Sequence, residues 1–449
     1  MTKTPDVFLR RFAGLASYAL GLRVLWAVIS FAGAALFARW FSASDYGRYA
    51  AVTSLITFLS VVCALGLPNA LVRRLGEFGG RNAEGEQAAL AHGVLRLGIS
   101  GSLIASVAVA LVVSAGAVTL HLMGRGPDPL VYIAGAALLP AFTLIDVQGA
   151  AARSYGRVVT ALAPRDVVWR LLLIPLAWVV VARLPPERQL VTFLLVAALM
   201  LSVLAAGQAW SLRRAAPAAI WAARPAYAVA DLARLSVVTW ITQIGGAVFR
   251  TIDVVIAAAF LPPREVGLYF AASRIAGLIT FVLVSTNLIV GPDVARLHHA
   301  GEGSRLQRTL NLASIIIFAP SLLMFLACVL FPAPLLSLFG EGFVEARMVL
   351  IVLAVGQLSN AATGAVGIVL MMTGLERKNA EVLLTSGAVM VVAMLVLTPL
   401  YGTLGTAAAM CGGQLLASAR VWLVTRRRTP YDPSILGLLW PPRRGLQEP

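Results

Sequence analysis

The chain has 449 residues, of which 59% are hydrophobic and only 12% charged, with a formal net charge of +16. Soluble globular chains are roughly 25% charged, so this composition excludes an ordinary water-soluble domain and points to an integral membrane protein. The basic excess is not a nucleic-acid signature either, because its placement follows membrane topology.

A membrane-spanning helix needs about 20 apolar residues. In chain order such runs fall near 17–39, 47–68, 94–120, 129–151, 163–183 and 190–212. After a polar connector at 215–234 they resume near 235–261, 266–291, 309–338, 347–373, 380–400 and 404–425. This predicts an all-α membrane protein with about 12 spans. Its parts would be an N-terminal six-helix lobe at 1–214, the connector at 215–234, a C-terminal six-helix lobe at 235–428 and a tail at 429–449. No stretch is left for a soluble domain of about 50 residues. The first run ends in Arg39-Trp40 without a small-residue cleavage site, so it reads as a span and not as a signal peptide. Pro217, Trp221, Arg224, Pro225 and Tyr227 suggest an interfacial connector. Pro430, Pro433, Pro441, Pro442 and Pro449 suggest a poorly ordered tail that rests on the inner surface through Leu436, Leu438, Leu439 and Trp440.

With the N-terminus inside, about 23 of the Lys and Arg residues flank the inner side, against about 7 (Arg39, Arg48, Arg125, Arg183, Arg188, Arg264 and Arg347) on the outer. Both termini are therefore expected in the cytoplasm. The outer loops are short, which disfavours a glycosyltransferase or polymerase that needs an external domain. Pro140, Pro175 and Pro320 fall inside spans, where proline kinks a helix. Cys63, Cys328 and Cys411 lie in apolar runs without paired spacing and read as inert thiols. The four histidines show no metal spacing, and no phosphate-binding G-x-x-x-x-G-K-[ST] loop is present.

Asp45-Tyr46-Gly47-Arg48-Tyr49-Ala50-Ala51 returns as Glu265-Val266-Gly267-Leu268-Tyr269-Phe270-Ala271, about 220 residues later, each copy between two apolar runs. Duplicated bundles are characteristic of transporters, in which two halves move about a central site. Tyr49 and Tyr269 read as aromatic-belt anchors, and Gly33, Ala34, Ala35, Gly412 and Gly413 as close-approach positions between helices.

Ionisable groups within spans are costly and are functional candidates. In the hairpin around Pro262, Arg250 precedes the tip by about twelve residues and Arg274 follows it by about twelve, so both lie roughly 18 Å from the tip, near mid-bilayer. Asp253 stands one turn from Arg250, and Gln243 and Asn287 add polar groups to the same two helices. Two guanidiniums at that depth suit an anionic group held bidentately; a structural Arg250–Asp253 ion pair is the competing reading. Arg23, about 9 Å into the first span, could line a cavity or snorkel to headgroups. Asp146, beside Gln148, could carry a coupling proton or pair with a neighbouring arginine.

Further motifs carry a family likeness. In the first half these are Ala38-Arg39-Trp40-Phe41, the Asp45–Tyr49 block and Leu65-Gly66-Leu67-Pro68-Asn69-Ala70-Leu71-Val72-Arg73. In the second they are Arg250-Thr251-Ile252-Asp253, Val266-Gly267-Leu268-Tyr269, Gly291-Pro292, Leu338-Phe339-Gly340, Gly374-Leu375 and the Pro399–Gly405 stretch. In order and spacing the chain resembles, from Arg10 to Arg428, the polysaccharide flippases of the multidrug/oligosaccharidyl-lipid/polysaccharide exporter superfamily. The resemblance implies two lobes in a V-shaped bundle around a central cavity. It also implies translocation of undecaprenyl-pyrophosphate-linked oligosaccharide across a bacterial inner membrane by alternating access, with no enzymatic step. No cofactor is expected, while coupling to H+ or Na+ is left open. The implied partners are the lipid-linked oligosaccharide, membrane lipids, and a polysaccharide polymerase and glycosyltransferases, with the transporter itself a monomer and no role for nucleic acid. Lipid II flippases usually carry two further helices, which lowers that alternative. A drug or metabolite exporter of cations would favour deep carboxylates over arginines. A membrane-embedded glycosyltransferase and a non-transporting scaffold complete the alternatives.

Overall fold

The computed structural model describes residues 25, 27–78, 84–124 and 128–439; Arg23, Arg81, Arg125 and the stretch from Trp440 onward lie outside the described residues. Among the described residues every regular element is helical and there is no strand. The first helices are α1 (Ala27–Trp40), α2 (Ala43–Cys63), α3 (Leu67–Phe78), α4 (Gly85–Leu122), α5 (Pro129–Ala136), α6 (Leu138–Ser154) and α7 (Val158–Ala163). A π-helical turn (Pro164–Trp169) leads into α8 (Arg170–Arg183), followed by α9 (Pro186–Ala215), α10 (Ala218–Ala222), α11 (Val229–Phe260) and α12 (Pro263–Gly277). A 3₁₀ turn (Leu278–Thr280) joins α13 (Phe281–His299), α14 (Gly303–Leu330) and α15 (Pro332–Ser337). A second 3₁₀ turn (Glu341–Ala346) precedes α16 (Arg347–Thr363), α17 (Val366–Met372), α18 (Glu376–Arg428) and α19 (Leu436–Leu439).

Among the described residues, nine helices are long and apolar enough to cross a membrane, against the twelve or so apolar runs of the sequence. The difference lies in where helices break. α1 is a short apolar helix, and α8 is cut to 14 residues by the π-helical turn before it. The last two apolar runs share the range α18, in which two helices meet at Gly402 with φ 60° and ψ −141°, as the separate runs at 380–400 and 404–425 predict. That combination is essentially confined to glycine. Pro140 sits in the first turn of α6, immediately after the break at Ala137, where a missing N–H costs least.

Both copies of the repeat open a helix. In α2 the Ser42 hydroxyl caps the first turn by accepting from the Asp45 N–H at 3.0 Å. In α12, Pro263 stands at the first position and Glu265 in the first turn, where a carboxylate favours the helix dipole. The aromatic-belt reading fails for Tyr269, which is fully buried, as is Tyr46. Tyr49 is half-buried and packs edge-on against Phe193 at 5.9 Å. These rings fill the protein interior because the glycines beside them, Gly47 and Gly267, are themselves buried against neighbours.

Contacts divide the chain into two compact units, Trp40–Val255 and Met1–Arg39 with Ile256–Pro449. These borders, after Arg39 and after Val255, do not coincide with the connector. In the first unit α6 is the central helix, with Ile145, Val147, Ala150 and Ala151 all fully buried. It packs on α9, α3 and α4. α4 turns Ile104, Leu111, Val112 and Leu122 outward, as a lipid-facing helix must. The connector is docked: the Ala226 N–H donates to Ala89 O at 2.9 Å, His92 Nδ1 lies 2.8 Å from Ala223 O, and a β-carbon at Gly93 would collide with Ala226 O.

In the second unit, α1 is tied to α15 by Arg39, whose Nε donates to Leu338 O at 2.8 Å. The tail is not poorly ordered as far as it is described. Residues 429–439 form a strap in which Thr429, Tyr431, Asp432 and Ser434 are buried. Gln307 on α14 donates to Asp432 O at 2.8 Å and accepts from its N–H at 3.0 Å. The Asp432 carboxylate collects Ser434 N–H, Ser434 Oγ and Trp422 Nε1 on one oxygen. Ser314 donates to Pro433 O, and Ile435 N–H to Ala362 O. Prolines without N–H groups suit a strap whose carbonyls do the bonding.

Two stability outcomes follow. A β-carbon at Gly413 would land on the Met390 side chain, whereas one at Gly412 meets nothing within 4 Å; only the first is a close-approach position. Gly413→Ala should therefore lose about 1–3 kcal/mol and lower the melting temperature in detergent, while Gly412→Ala should not. Asp432→Ala should cost on the order of 2–3 kcal/mol by orphaning three donors, read as a lower melting temperature and faster proteolysis after Arg428.

Candidate functional site

In the first unit, one face of α6 and the turn before α8 create a charged site. After α6 the chain reverses through Tyr155-Gly156, with Gly156 at φ +72°, and α7 leads to Pro164. Proline removes a ladder hydrogen bond and displaces the preceding turn. The helix takes up the mismatch as a widened π-helical turn, Pro164–Trp169, a geometry frequent at functional sites. Trp169 anchors the far end of this turn. It is buried, donates Nε1–H to Ala197 O at 3.1 Å and meets Phe142 edge-on at 5.1 Å.

Arg165, at the near end, is held twice. Its guanidinium donates to Asp146 Oδ1 and lies 5.1 Å over the ring of Phe142. Phe142 and Asp146 are four residues apart, hence on one face of α6. Arg153, further along α6, lies in the field of Asp146 and Asp166. Arg250 of α11 lies in the field of Arg165 and Asp146. Three guanidiniums thus share the field of two carboxylates within one unit.

α11 is positioned by an unusual break in its neighbour. Between α2 and α3 the chain passes through Leu65 at φ 52° and Gly66 at φ 71°. Trp240 Nε1–H donates to Val62 O at 2.9 Å, and Thr239 Oγ1–H to Gly66 O at 3.0 Å. A β-carbon at Gly66 would collide with Ser236 O, so the Leu-Gly-Leu-Pro motif is a docking point for α11. About three turns beyond these anchors comes the exposed Arg250, whose guanidinium folds back over Gly246. Gln243 lies two turns before Arg250 on the same face; it is half-buried, with Nε2 unbonded.

Of the residues singled out from sequence, Arg250, Gln243, Asp253 and Asp146 belong to the first unit, Arg274 and Asn287 to the second. Arg250 lies in the field of Asp146. Asp253 is buried. Arg274 is exposed and stacks 4.3 Å over Phe270. Asn287 is half-buried with its Oδ1 unbonded. Sequence reasoning passed over Arg165 as an inner-flank charge and did not consider Phe142. Pro164 within an apolar run was the available signal for the turn, but a π-helical turn leaves no periodicity of its own. Among the described residues no cluster of three His, Cys, Asp or Glu could hold a metal ion.

Comparisons agree with this architecture. The inward-facing structure of a MATE-family multidrug resistance transporter of the MOP superfamily matches with a TM-score of 0.68 at 16% identity, covering 90% of this chain and 94% of that one. The lipid II flippase MurJ, in an inward closed conformation, matches with a TM-score of 0.70 at 12% identity, covering 92% and 87%. A MOP transporter from Pyrococcus furiosus, described as having a binding pocket of reversed polarity that suggests a different function, matches at 0.57 and 16%, covering 94% and 96%. At these identities the likeness is one of fold. No curated protein matches. The model of the family described as polysaccharide biosynthesis protein matches residues 16–291, more than half of the chain, and the chain therefore belongs to the polysaccharide biosynthesis protein family, on the fold of the MOP-superfamily transporters.

Proposed function

We propose that this member of the superfamily is a flippase for undecaprenyl-pyrophosphate-linked oligosaccharide, working by alternating access across a bacterial inner membrane with both termini cytoplasmic. The observation that carries the reading is the gathering of guanidiniums on the helices of the first unit. Arg153, Arg165 and Arg250 lie in the field of Asp146 or Asp166 in the first unit, which also holds the buried carboxylate of Asp253. In the second, Arg274 is exposed and paired with no carboxylate among the described residues. A carrier of lipophilic cations would not gather guanidiniums, because a cation brought beside them is repelled in a low-dielectric site. A pyrophosphate head is drawn to them, and guanidiniums meet it bidentately.

In this reading Arg250, Arg274 and Arg23 contact phosphate. Gln243 and Asn287, whose amide groups have unbonded atoms, supply hydrogen bonds to phosphate or sugar. Asp253 orients Arg250 or carries a coupling proton, H+ or Na+ being the candidate ions. A polysaccharide polymerase and glycosyltransferases would act before and after it on the same lipid-linked intermediate.

The test is export of repeat units in cells lacking the native gene. Arg250→Ala and Arg274→Ala should each lower export at least about tenfold, the scale of one lost charge-assisted contact, at unchanged protein level in the membrane. Normal export by both variants at wild-type levels would overturn the assignment.

A further inference from the structure

Arg165 and Arg250 interact electrostatically although both are cationic. Two guanidiniums that feel each other's field repel, and an anion shared between them offsets that repulsion. In this structure Asp146 is such an anion: it bonds Arg165 and acts on Arg153 and Arg250 as well. The site is not sealed around it. The Arg165 side chain is 22% exposed and that of Asp146 32%, and Arg250 is exposed, so protein does not enclose any of the three.

Arg165 also has a second holder. If Asp146 lets go, the guanidinium still lies over Phe142, which Trp169 supports from its edge, and its planar fork keeps its orientation for a new acceptor. Asp146 in turn has Arg153, two turns along the same face of α6, in its field. An ion pair that served only as a brace would gain nothing from this double support or from its openness.

We propose that Arg165, not assigned by any sequence motif, is a phosphate-binding residue that works with Arg250, and that Asp146 is the resident competitor which occupies Arg165 until phosphate displaces it. This rests on the flippase reading for the source of the phosphate. The ligand class is a phosphate or pyrophosphate monoester anion. No covalent step is involved, since one acceptor replaces another on the same guanidinium.

The experiment measures binding to the full-length protein in nanodiscs, with three probes: a short-chain polyprenyl pyrophosphate, inorganic pyrophosphate and cardiolipin. Arg165→Gln should weaken polyprenyl pyrophosphate at least about tenfold, as for loss of a bidentate charged contact. Asp146→Asn should tighten it by about fivefold or more, because removing a competing carboxylate frees the guanidinium. Phe142→Leu, which changes no charge, should weaken it a few-fold and keeps the test open if Asp146→Asn fails to fold. Arg165→Lys should fall between wild type and Arg165→Gln.

A merely structural pair predicts otherwise: Asp146→Asn unchanged or weaker, and Phe142→Leu unchanged, and either of these results overturns the proposal. The same variant pattern with inorganic pyrophosphate supports the site and shows that it reads the head alone. If cardiolipin alone follows the pattern, the anion site stands but the flippase reading loses its substrate. Binding of none of the probes by the wild-type protein overturns both.

Discussion

Inside a bilayer no water is available to satisfy a broken helix, so each interruption has to find a partner within the protein. Much of the architecture follows from that constraint. At the break between α2 and α3 the carbonyls of Val62 and Gly66 accept backbone N–H groups of the turn and, on their second lone pairs, Trp240 and Thr239 of α11. The junction of α16 and α17 turns at Gly364, with φ 65° and ψ −141°, and there the strap meets the helices, Ile435 bonding Ala362 and Pro433 accepting from Ser314. Serines inside helices return their hydroxyls to the preceding turn, as Ser321 does to Ile317 and across to Ile279. Breaks are therefore the points where separate helices become one body.

The same constraint governs charge. A guanidinium at depth has to be accompanied, and Arg165 is accompanied by a carboxylate and an aromatic face at once. The π-helical turn makes this possible, since it places Arg165 at one end and the buried, bonded Trp169 at the other. A regular helix through Pro164 would rotate one of them off the face that meets α6. The local proline thus has an electrostatic consequence: it sets the position of the charge that faces Arg250. Arg250 is placed from the other direction, by α11 docking on the α2–α3 break. Two irregularities far apart in sequence converge on a single cationic cluster within one unit.

What could be read beforehand divides along physical lines. Apolar runs and the Gly-x-Tyr repeat are local in sequence, so helical class, membrane embedding and the paired openings of α2 and α12 were legible. Helix breaks depend on what accepts the freed groups, which is a tertiary matter. The π-helical turn was not visible from hydropathy, whereas the break at Gly402 falls where the runs at 380–400 and 404–425 part. Gly412 and Gly413 look equivalent in a string and differ entirely in what stands opposite them. The tail looked disordered because prolines dominate it, yet Gln307 and Ser314, more than a hundred residues earlier, supply its partners. Depth counting associates Arg250 with Arg274; within the first unit Arg250 also lies in the field of Arg165.

That last difference changes what selectivity rests on. Counting along a hairpin yields charges at one height, which any hydrated anion could neutralise. A guanidinium already engaged by a carboxylate discriminates more sharply, since an incoming group has to outcompete Asp146 for a planar, two-pronged donor. A singly charged lipid phosphate offers fewer acceptor oxygens and less charge than a pyrophosphate and is the weaker competitor. The surrounding bilayer contains anionic phospholipid in vast excess over any lipid-linked sugar, so a bare arginine site would be filled by the wrong headgroup. A resident carboxylate raises the threshold for every anion and leaves the pyrophosphate best able to cross it, which makes Asp146 a source of specificity and not merely a counter-ion.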